Sequence, residues 1–308
     1  MVESTESAER VLSANPMAVT QTDSRVTRRS ATGRVFVKVD MEGVSGVVSR
    51  EQTTPGHGEY DYARRMLMHD LQAVLDGLFA AGAREAVVYD THLSGRNVDL
   101  DVLDSRVSLI AGRPHLQDGC FYGLDATFGA LFLVGFHARA GASDALLPHT
   151  YDDDIVSLKV NGTELGEIGM EAALAGEFGV PLAFVSADSG GVREARDLLG
   201  DDVVCVEVKK AITPTSGVCL PAARTRELLT EAAARAFENA PGVPPMVFQC
   251  PTSLEVLFDT PRSAEALADV PSVERTGRVS VRTTGQNVLA AYRHFVLARR
   301  QVSTAEDD

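Results

Sequence analysis

The segment Arg34-Val35-Phe36-Val37-Lys38-Val39-Asp40-Met41-Glu42 decides the fold class of this 308-residue chain. It begins with a short, largely β-branched run, which is typical of a buried strand, and it ends in two acids. Residues 60–81 then place apolar side chains on one stripe of a helix, and Ala86-Val87-Val88-Tyr89-Asp90 returns to the pattern of a strand. This order predicts a β-α-β unit that begins at Arg34.

The alternation of strands and helices continues along the chain. Further strands are predicted at 107–110, 130–136, 182–186 and 203–208, with helices at 164–178 and 192–199. Because the strands are apolar along their whole length, we expect an α/β fold with a mostly parallel sheet covered by helices on both faces. After a turn-rich break at 213–217, a smaller α+β domain is predicted, with helices at 222–237 and 286–299 and strands at 246–250, 254–258 and 279–281.

The predicted organisation of the chain has four parts. A flexible N-terminal tail precedes an α/β domain that carries the candidate site, and a smaller α+β domain precedes a flexible C-terminal tail; their bounds are 1–33, 34–212, 213–301 and 302–308. The first tail has four acids and four arginines without apolar periodicity, and such a segment does not supply a core.

Composition excludes several classes of protein. With 44% hydrophobic residues the chain is not disordered throughout, and it has no apolar run of the ~18–20 residues that cross a bilayer. The net charge of −14 disfavours nucleic acid and anionic membranes as partners. Four scattered cysteines without a CxxC motif, and an N-terminus without a signal-peptide pattern, predict reduced thiols in a cytoplasmic protein.

Chemically useful side chains follow three predicted strands. Asp40 and Glu42 come after the first strand, His92 after the second and His137 after the apolar run 130–136. Because ligands of open parallel sheets bind outside the carboxyl ends of the strands, we expect these four side chains at one edge. Two carboxylates and two imidazoles suit zinc, manganese, iron or cobalt, so the pattern predicts a metal site.

Glu167, between Gly166 and Ile168 at the start of a predicted helix, offers another carboxylate and would allow two metals ~3.5–4 Å apart. Two other patterns favour ordinary structural roles. Ser189-Gly190-Gly191 lacks the spacing of a phosphate-binding loop and is predicted to be a helix-start turn. The acidic run 152–154 is predicted to be a solvated loop near the site entrance.

From Arg34 to the closing helix, several motifs occur in an order and spacing that match a known family. They are Val39–Gly46, Asp90-Thr91-His92, Gly135–Ala140, His149-Thr150, Asn161-Gly162, Gly166–Gly169 and the segment from Val208-Lys209 to Cys219-Leu220. The set resembles the zinc-dependent D-aminopeptidases of peptidase family M55, of the DppA type.

The resemblance implies a catalytic histidine and a metal site with two zinc ions per chain. The catalytic residue would be His149, and Asp40 would bridge the zinc ions; the implied ligands are Asp40, Glu42, His92, His137 and Glu167. The implied assembly is a ring-shaped homodecamer whose internal channel admits short peptides. The expected reaction removes the N-terminal residue of short D-amino-acid peptides, such as D-Ala peptides, through attack of a metal-bound hydroxide. His149 would stabilise the oxyanion or protonate the leaving amine.

Two other functions stay open on the sequence. A two-metal site also serves phosphoryl transfer, so a metal-dependent phosphoesterase acting on a small substrate is the first alternative. The second is a peptide-binding homologue without catalysis. The presence of all five implied ligands and of His149 argues against the second alternative, because a site that had lost its chemistry would have lost at least one of them.

Overall fold

A computed structural model describes residues 32–112 and 123–306 of the chain. Most of the predicted N-terminal tail, Cys120 and the last two residues lie outside this range. The strands are β1 (Arg34–Val39), β2 (Glu85–Asp90), β3 (Val107–Ile110), β4 (Ala130–Phe136), β5 (Ile155–Val160), β6 (Thr163–Glu164), β7 (Leu182–Asp188), β8 (Val204–Thr213), β9 (Ser216–Cys219), β10 (Thr252–Phe258), β11 (Glu274–Arg275) and β12 (Ser280–Gly285).

The α-helices of the described residues lie between these strands and after the last one. They are α1 (Arg50–Thr53), α2 (Tyr60–Ala80), α3 (Glu167–Gly176), α4 (Ser189–Leu199), α5 (Ala222–Asn239), α6 (Pro261–Ala266) and α7 (Val288–Glu306). Among these helices, none combines the length and the apolar character that a membrane span needs.

A seven-stranded sheet forms the centre of the molecule, in the order β3-β2-β1-β4-β7-β8-β9. Its pairs are parallel except for the last, in which β9 runs antiparallel to β8. A second, antiparallel sheet has the order β11-β12-β10-β5-β6. The α/β prediction with a mostly parallel sheet is confirmed.

Both faces of the central sheet are covered, and this explains why its middle strands are apolar throughout. Alternate residues of β1 point to opposite faces. Val35 and Val37 pack in one core with Leu67 of α2 and Leu229 of α5. Phe36 packs in the other core, which includes apolar residues of α3, α4, α7 and the second sheet. The predicted helical cover on both faces is therefore confirmed.

One local prediction differs from the structure. Residues 246–250 form no strand, because prolines at 244, 245 and 251 flank the segment and lack the N–H that a β-ladder needs. The predicted turn-rich break at 213–217 contains the turn of the β8–β9 hairpin, between Thr213 and Ser216.

The two sheets exchange strands along the chain. Residues 155–164, which carry no strand prediction, supply β5 and β6 of the second sheet, whereas β9 after the turn belongs to the first. The division between the sheets therefore does not coincide with the predicted domain boundary at residue 213, and the domain boundaries stay a prediction.

Candidate metal centre

The carboxyl ends of β1, β2 and β4 bring four of the predicted site residues together. Since β1 lies between β2 and β4 and parallel to both, the residues that follow these strands meet at one edge. Nδ1 of His92 lies 3.0 Å from Oδ1 of Asp40 and 3.1 Å from Oε2 of Glu42. Nε2 of His137 lies 3.3 Å from the other Asp40 oxygen, Oδ2. Asp40 therefore stands between two histidines and faces each with a different oxygen.

Two further predicted residues complete the cluster from outside the sheet. Glu167 is the first residue of α3, and its Oε1 lies 3.4 Å from Nε2 of His137 and accepts a hydrogen bond from the backbone of Tyr151. The His149 ring stacks on His137 with centroids 4.0 Å apart, and its Nε2 lies 3.9 Å from Glu167. The structure thus brings all six predicted residues together in two adjoining groups: Asp40, Glu42 and His92; and Glu167, His137 and His149.

Each of the three histidines has one ring nitrogen fixed by a backbone carbonyl. The pairs are His92 Nε2 with Thr53 at 2.8 Å, His137 Nδ1 with Ala138 at 3.0 Å and His149 Nδ1 with Leu147 at 3.0 Å. Because a carbonyl only accepts hydrogen bonds, these nitrogens carry the hydrogen, and in the neutral ring the other nitrogen offers a lone pair to the cluster. This is how proteins orient imidazoles that bind metal.

Two buried atoms at the centre lack a well-directed hydrogen bond. They are Oε2 of Glu42 and Nε2 of His137, in side chains that are 9% and 1% exposed. A cation held between these groups would satisfy both atoms. The donor set of carboxylates and imidazoles is the one that zinc and related divalent ions bind, so the residues fit a metal centre.

The electrostatics of the cluster favour positive charge. Burial lowers the pKa of His92 and His137, but the nearby carboxylates of Asp40, Glu42 and Glu167 outweigh it, so that both pKa values lie well above the usual one. For Asp40, burial raises the pKa, and the two histidines more than reverse the effect. Three carboxylates thus converge on a site where a cation is stabilised.

Two glycines allow the loop after β1 to lie directly against the end of β4. The N–H of Gly43 donates to the carbonyl of Gly135 at 2.8 Å, and a Cβ on Gly43 would lie 1.7 Å from the carbonyl oxygen of Phe136. Gly135 has a φ of +74°, which strains other residues, and a Cβ there would lie 2.4 Å from the Asp40 carbonyl oxygen. This close approach places Asp40 and Glu42 beside His137.

Replacing Gly43 with alanine is expected to separate this loop from β4, because two backbone segments must move apart. We expect a loss of ~1–3 kcal/mol in the free energy of unfolding, the range for overpacking, and weaker binding of divalent metal. Urea unfolding and metal content measure the two effects. Gly58→Ala is the matched control, since a Cβ at Gly58 meets nothing within 4 Å. Equal stability and metal content in Gly43→Ala and Gly58→Ala would contradict this account of the loop.

Asp152 and Asp153 are exposed, as predicted for a solvated acidic loop, and the run 152–154 also forms ion pairs. Asp153 pairs with Arg50 at 2.7 Å, and Arg299 of α7 pairs with Asp152 at 2.9 Å and with Asp154 at 3.1 Å. The loop that follows His149 is therefore tied to α1 and to α7.

The run Ser189-Gly190-Gly191 is the start of α4, as predicted. The Asp188 carboxylate accepts hydrogen bonds from the backbone of Gly190 and Gly191. Asp188 also accepts from the backbone N–H of Leu146 at 2.8 Å, and the N–H of Leu147 donates to the carbonyl of Pro214. The segment before His149 is thereby fixed to α4 and to the β8–β9 hairpin.

The sequence motifs do not identify several buried groups that surround the cluster. Nζ of Lys38 lies 2.6 Å from Oε2 of Glu171, and both side chains are buried beneath the site. Burial lowers the pKa of Lys38 and raises that of Glu171. The sequence positions of Lys38 and Glu171 could have identified this pair. Lys38 interrupts an apolar strand two residues before Asp40, and Glu171 lies one helical turn after Glu167. The Thr53 carbonyl that orients His92 cannot be predicted from the sequence, because every residue has a backbone carbonyl.

Comparisons with known proteins agree with this geometry. The model of peptidase family M55, described as D-aminopeptidase, matches residues 34–297. A D-aminopeptidase of Bacillus subtilis (strain 168) is 30% identical over 268 residues, which cover 86% of this chain and 96% of that relative. The solved structure of the Zn-dependent D-aminopeptidase DppA from Bacillus subtilis, called a self-compartmentalizing protease, matches with a TM-score of 0.83 and 27% identity, over 88% of this chain and 98% of that one. The chain therefore belongs to peptidase family M55, the D-aminopeptidase family of hydrolases.

Proposed function

We propose that this chain holds two zinc ions and removes the N-terminal residue of short peptides, with D-amino-acid peptides such as D-Ala-D-Ala as its substrates. The observation that carries the proposal is the central position of Asp40, which presents one oxygen to His92 and the other to His137. The match to a solved structure named a Zn-dependent D-aminopeptidase supports the choice of metal and of reaction.

The geometry supports a division of the ligands into two sets that share Asp40. Glu42 and His92 would hold one zinc ion with Asp40, and His137 and Glu167 would hold the other. Zinc, when bound, supplies a Lewis acid and lowers the pKa of water toward neutrality. The backbone carbonyls of Thr53 and Ala138 keep the two ligand histidines in the required orientation.

His149 is proposed as the group that moves a proton. Its Nδ1 donates to the Leu147 carbonyl, so Nε2 of the neutral ring is a proton acceptor that faces Glu167. The side chain is 18% exposed, more than the ligand histidines, and it is therefore open to substrate. We propose that Nε2 accepts a proton from the attacking water and delivers it to the leaving amine.

A cavity of about 350 Å³ lies between the segment that follows His137 and helix α4, and none of the six candidate site residues lines it. Its lining includes Arg139, Glu164 and the loop residues Gly141, Ala142 and Ser143. We propose that the segment between His137 and His149 helps to select the substrate, because it joins two histidines of the candidate site.

The assembly and the compartment are part of the proposal. The neighbour described as a self-compartmentalizing protease supports a closed homo-oligomer of this chain, and the ring-shaped decamer stays the expected form. Cys205, Cys219 and Cys250 are free thiols, which supports the predicted cytoplasmic location.

Hydrolysis assays with zinc-loaded protein test the function. We expect cleavage of D-Ala-D-Ala, little cleavage of L-Ala-L-Ala, loss of activity with a chelator and recovery with zinc. Turnover of p-nitrophenyl phosphate without peptide cleavage would replace the proposal by a phosphoesterase. Zinc and peptide binding without any turnover would show a binding homologue instead.

A further inference from the structure

A lysine that the proposed chemistry does not use lies buried behind the site. Lys209, in the middle of β8, is 1% exposed. Its Nζ donates hydrogen bonds to the backbone carbonyls of Glu42 at 2.6 Å and Val44 at 2.7 Å, and to that of Val47. All three acceptors belong to residues 42–47, the segment that begins with Glu42, two residues after Asp40.

The number of acceptors is what distinguishes this lysine. An ammonium group has three N–H donors, and each of them meets a carbonyl of the same short segment. Three carbonyl dipoles that point at one buried spot repel one another unless a positive charge lies there. Without Lys209, these three buried carbonyls would lose the donor that they share, and the turn would lose the geometry that this donor fixes.

The segment is also held from α2. The carboxylate of Asp70, a fully buried residue, accepts a hydrogen bond from the N–H of Ser45 at 2.8 Å. Asp70 and Lys209 therefore hold the same turn: Asp70 accepts from one of its N–H groups, and Lys209 donates to three of its carbonyls. The other candidate zinc ligands depend on different elements: His137 follows β4, and Glu167 begins α3.

We propose that Lys209 is a positioning residue that sets the turn 42–47 and thereby places the Glu42 carboxylate beside Asp40 and His92. The proposal rests on the proposed function, since it assigns Glu42 to one of two zinc ions. It has a selective consequence: loss of Lys209 disturbs the ion held by Asp40, Glu42 and His92, and spares the ion held by His137 and Glu167.

Calorimetric titration of metal-free protein with zinc tests this selectivity. The variants are Lys209→Met, which keeps the length of the side chain, and the matched control Lys210→Met at the exposed neighbouring position. We expect two zinc ions in the wild type and in Lys210→Met. In Lys209→Met, we expect one ion with unchanged affinity and a second that binds ~10–100-fold more weakly, the range for groups that orient ligands. Far-UV circular dichroism of each variant checks its folding.

Two zinc ions of wild-type affinity in Lys209→Met would overturn the proposal. Equal weakening of both ions in a folded protein would also overturn it, because that result indicates general destabilisation. If Lys209→Met does not fold, Lys209→Arg takes its place, since a planar guanidinium cannot reach all three carbonyls; selective weakening again supports the proposal, and wild-type binding overturns it. If the wild type itself binds no zinc, the proposed function fails, and the role of Lys209 fails with it.

Discussion

Replacing His137 with alanine is expected to strip the centre of metal and to abolish peptide hydrolysis. His137 is almost completely buried, and its Nε2 faces both Asp40 and Glu167. Alanine removes this imidazole ligand and leaves the two carboxylates without it. Peptidase activity should fall by several orders of magnitude, because zinc supplies the central chemistry of the reaction. Zinc content by mass spectrometry and the rate of D-Ala-D-Ala hydrolysis measure the two losses.

The control for this variant is a histidine outside the cluster. His294 of α7 contacts the carbonyl of Thr284, and His294→Ala should keep zinc and activity. His92→Ala should resemble His137→Ala, because Nδ1 of His92 lies between Asp40 and Glu42. Full activity in either His92→Ala or His137→Ala would refute the assignment of the site.

Replacing His149 with alanine is expected to separate metal binding from turnover. We predict unchanged zinc content and a rate lower by ~10²–10⁴-fold, the usual effect of losing one proton-transfer group. Metal retention follows from the five remaining ligands, and the rate loss follows from the loss of the accessible Nε2. Zinc analysis and kcat for D-Ala-D-Ala, measured on the same preparation, test both parts.

The His149→Ala variant could contradict the prediction in two ways, and each would assign a different role to His149. Loss of zinc would make His149 a ligand, a role that its place beside His137 and Glu167 also permits. An unchanged rate with full zinc content would remove His149 from the reaction. Only retention of zinc with a slow rate agrees with the proposed role.

Much of the central sheet and all six candidate site residues can be predicted from the sequence. Both predictions depend mainly on the apolar strands of the parallel sheet. Strands buried on two faces need apolar runs such as 130–136, and those runs are visible without a structure. Polar residues directly after such runs must lie at the carboxyl edge of a parallel sheet. Asp40, Glu42, His92 and His137 satisfy this rule, Glu167 begins a predicted helix, and the family motifs add His149.

Other features depend on contacts that no local pattern contains. β5 is partly exposed and pairs with β10, almost one hundred residues later, so its alternation is weak and its partner distant. Backbone carbonyls orient the three histidines, and carbonyl groups have no sequence signature. Lys209 reaches a turn 162–167 residues earlier in the chain. The acids of the run 152–154 form ion pairs with Arg50 and Arg299, which lie far from them in the sequence. The net charge of the chain does not predict such pairs.

The most direct test of the account is anomalous diffraction at the zinc absorption edge, from crystals of the protein grown with zinc. We predict two anomalous peaks on either side of Asp40, one in contact with Glu42 and His92 and the other with His137 and Glu167. His149 should contact neither peak. A single peak, or peaks away from Asp40, would contradict the two-zinc centre on which the proposed aminopeptidase activity depends.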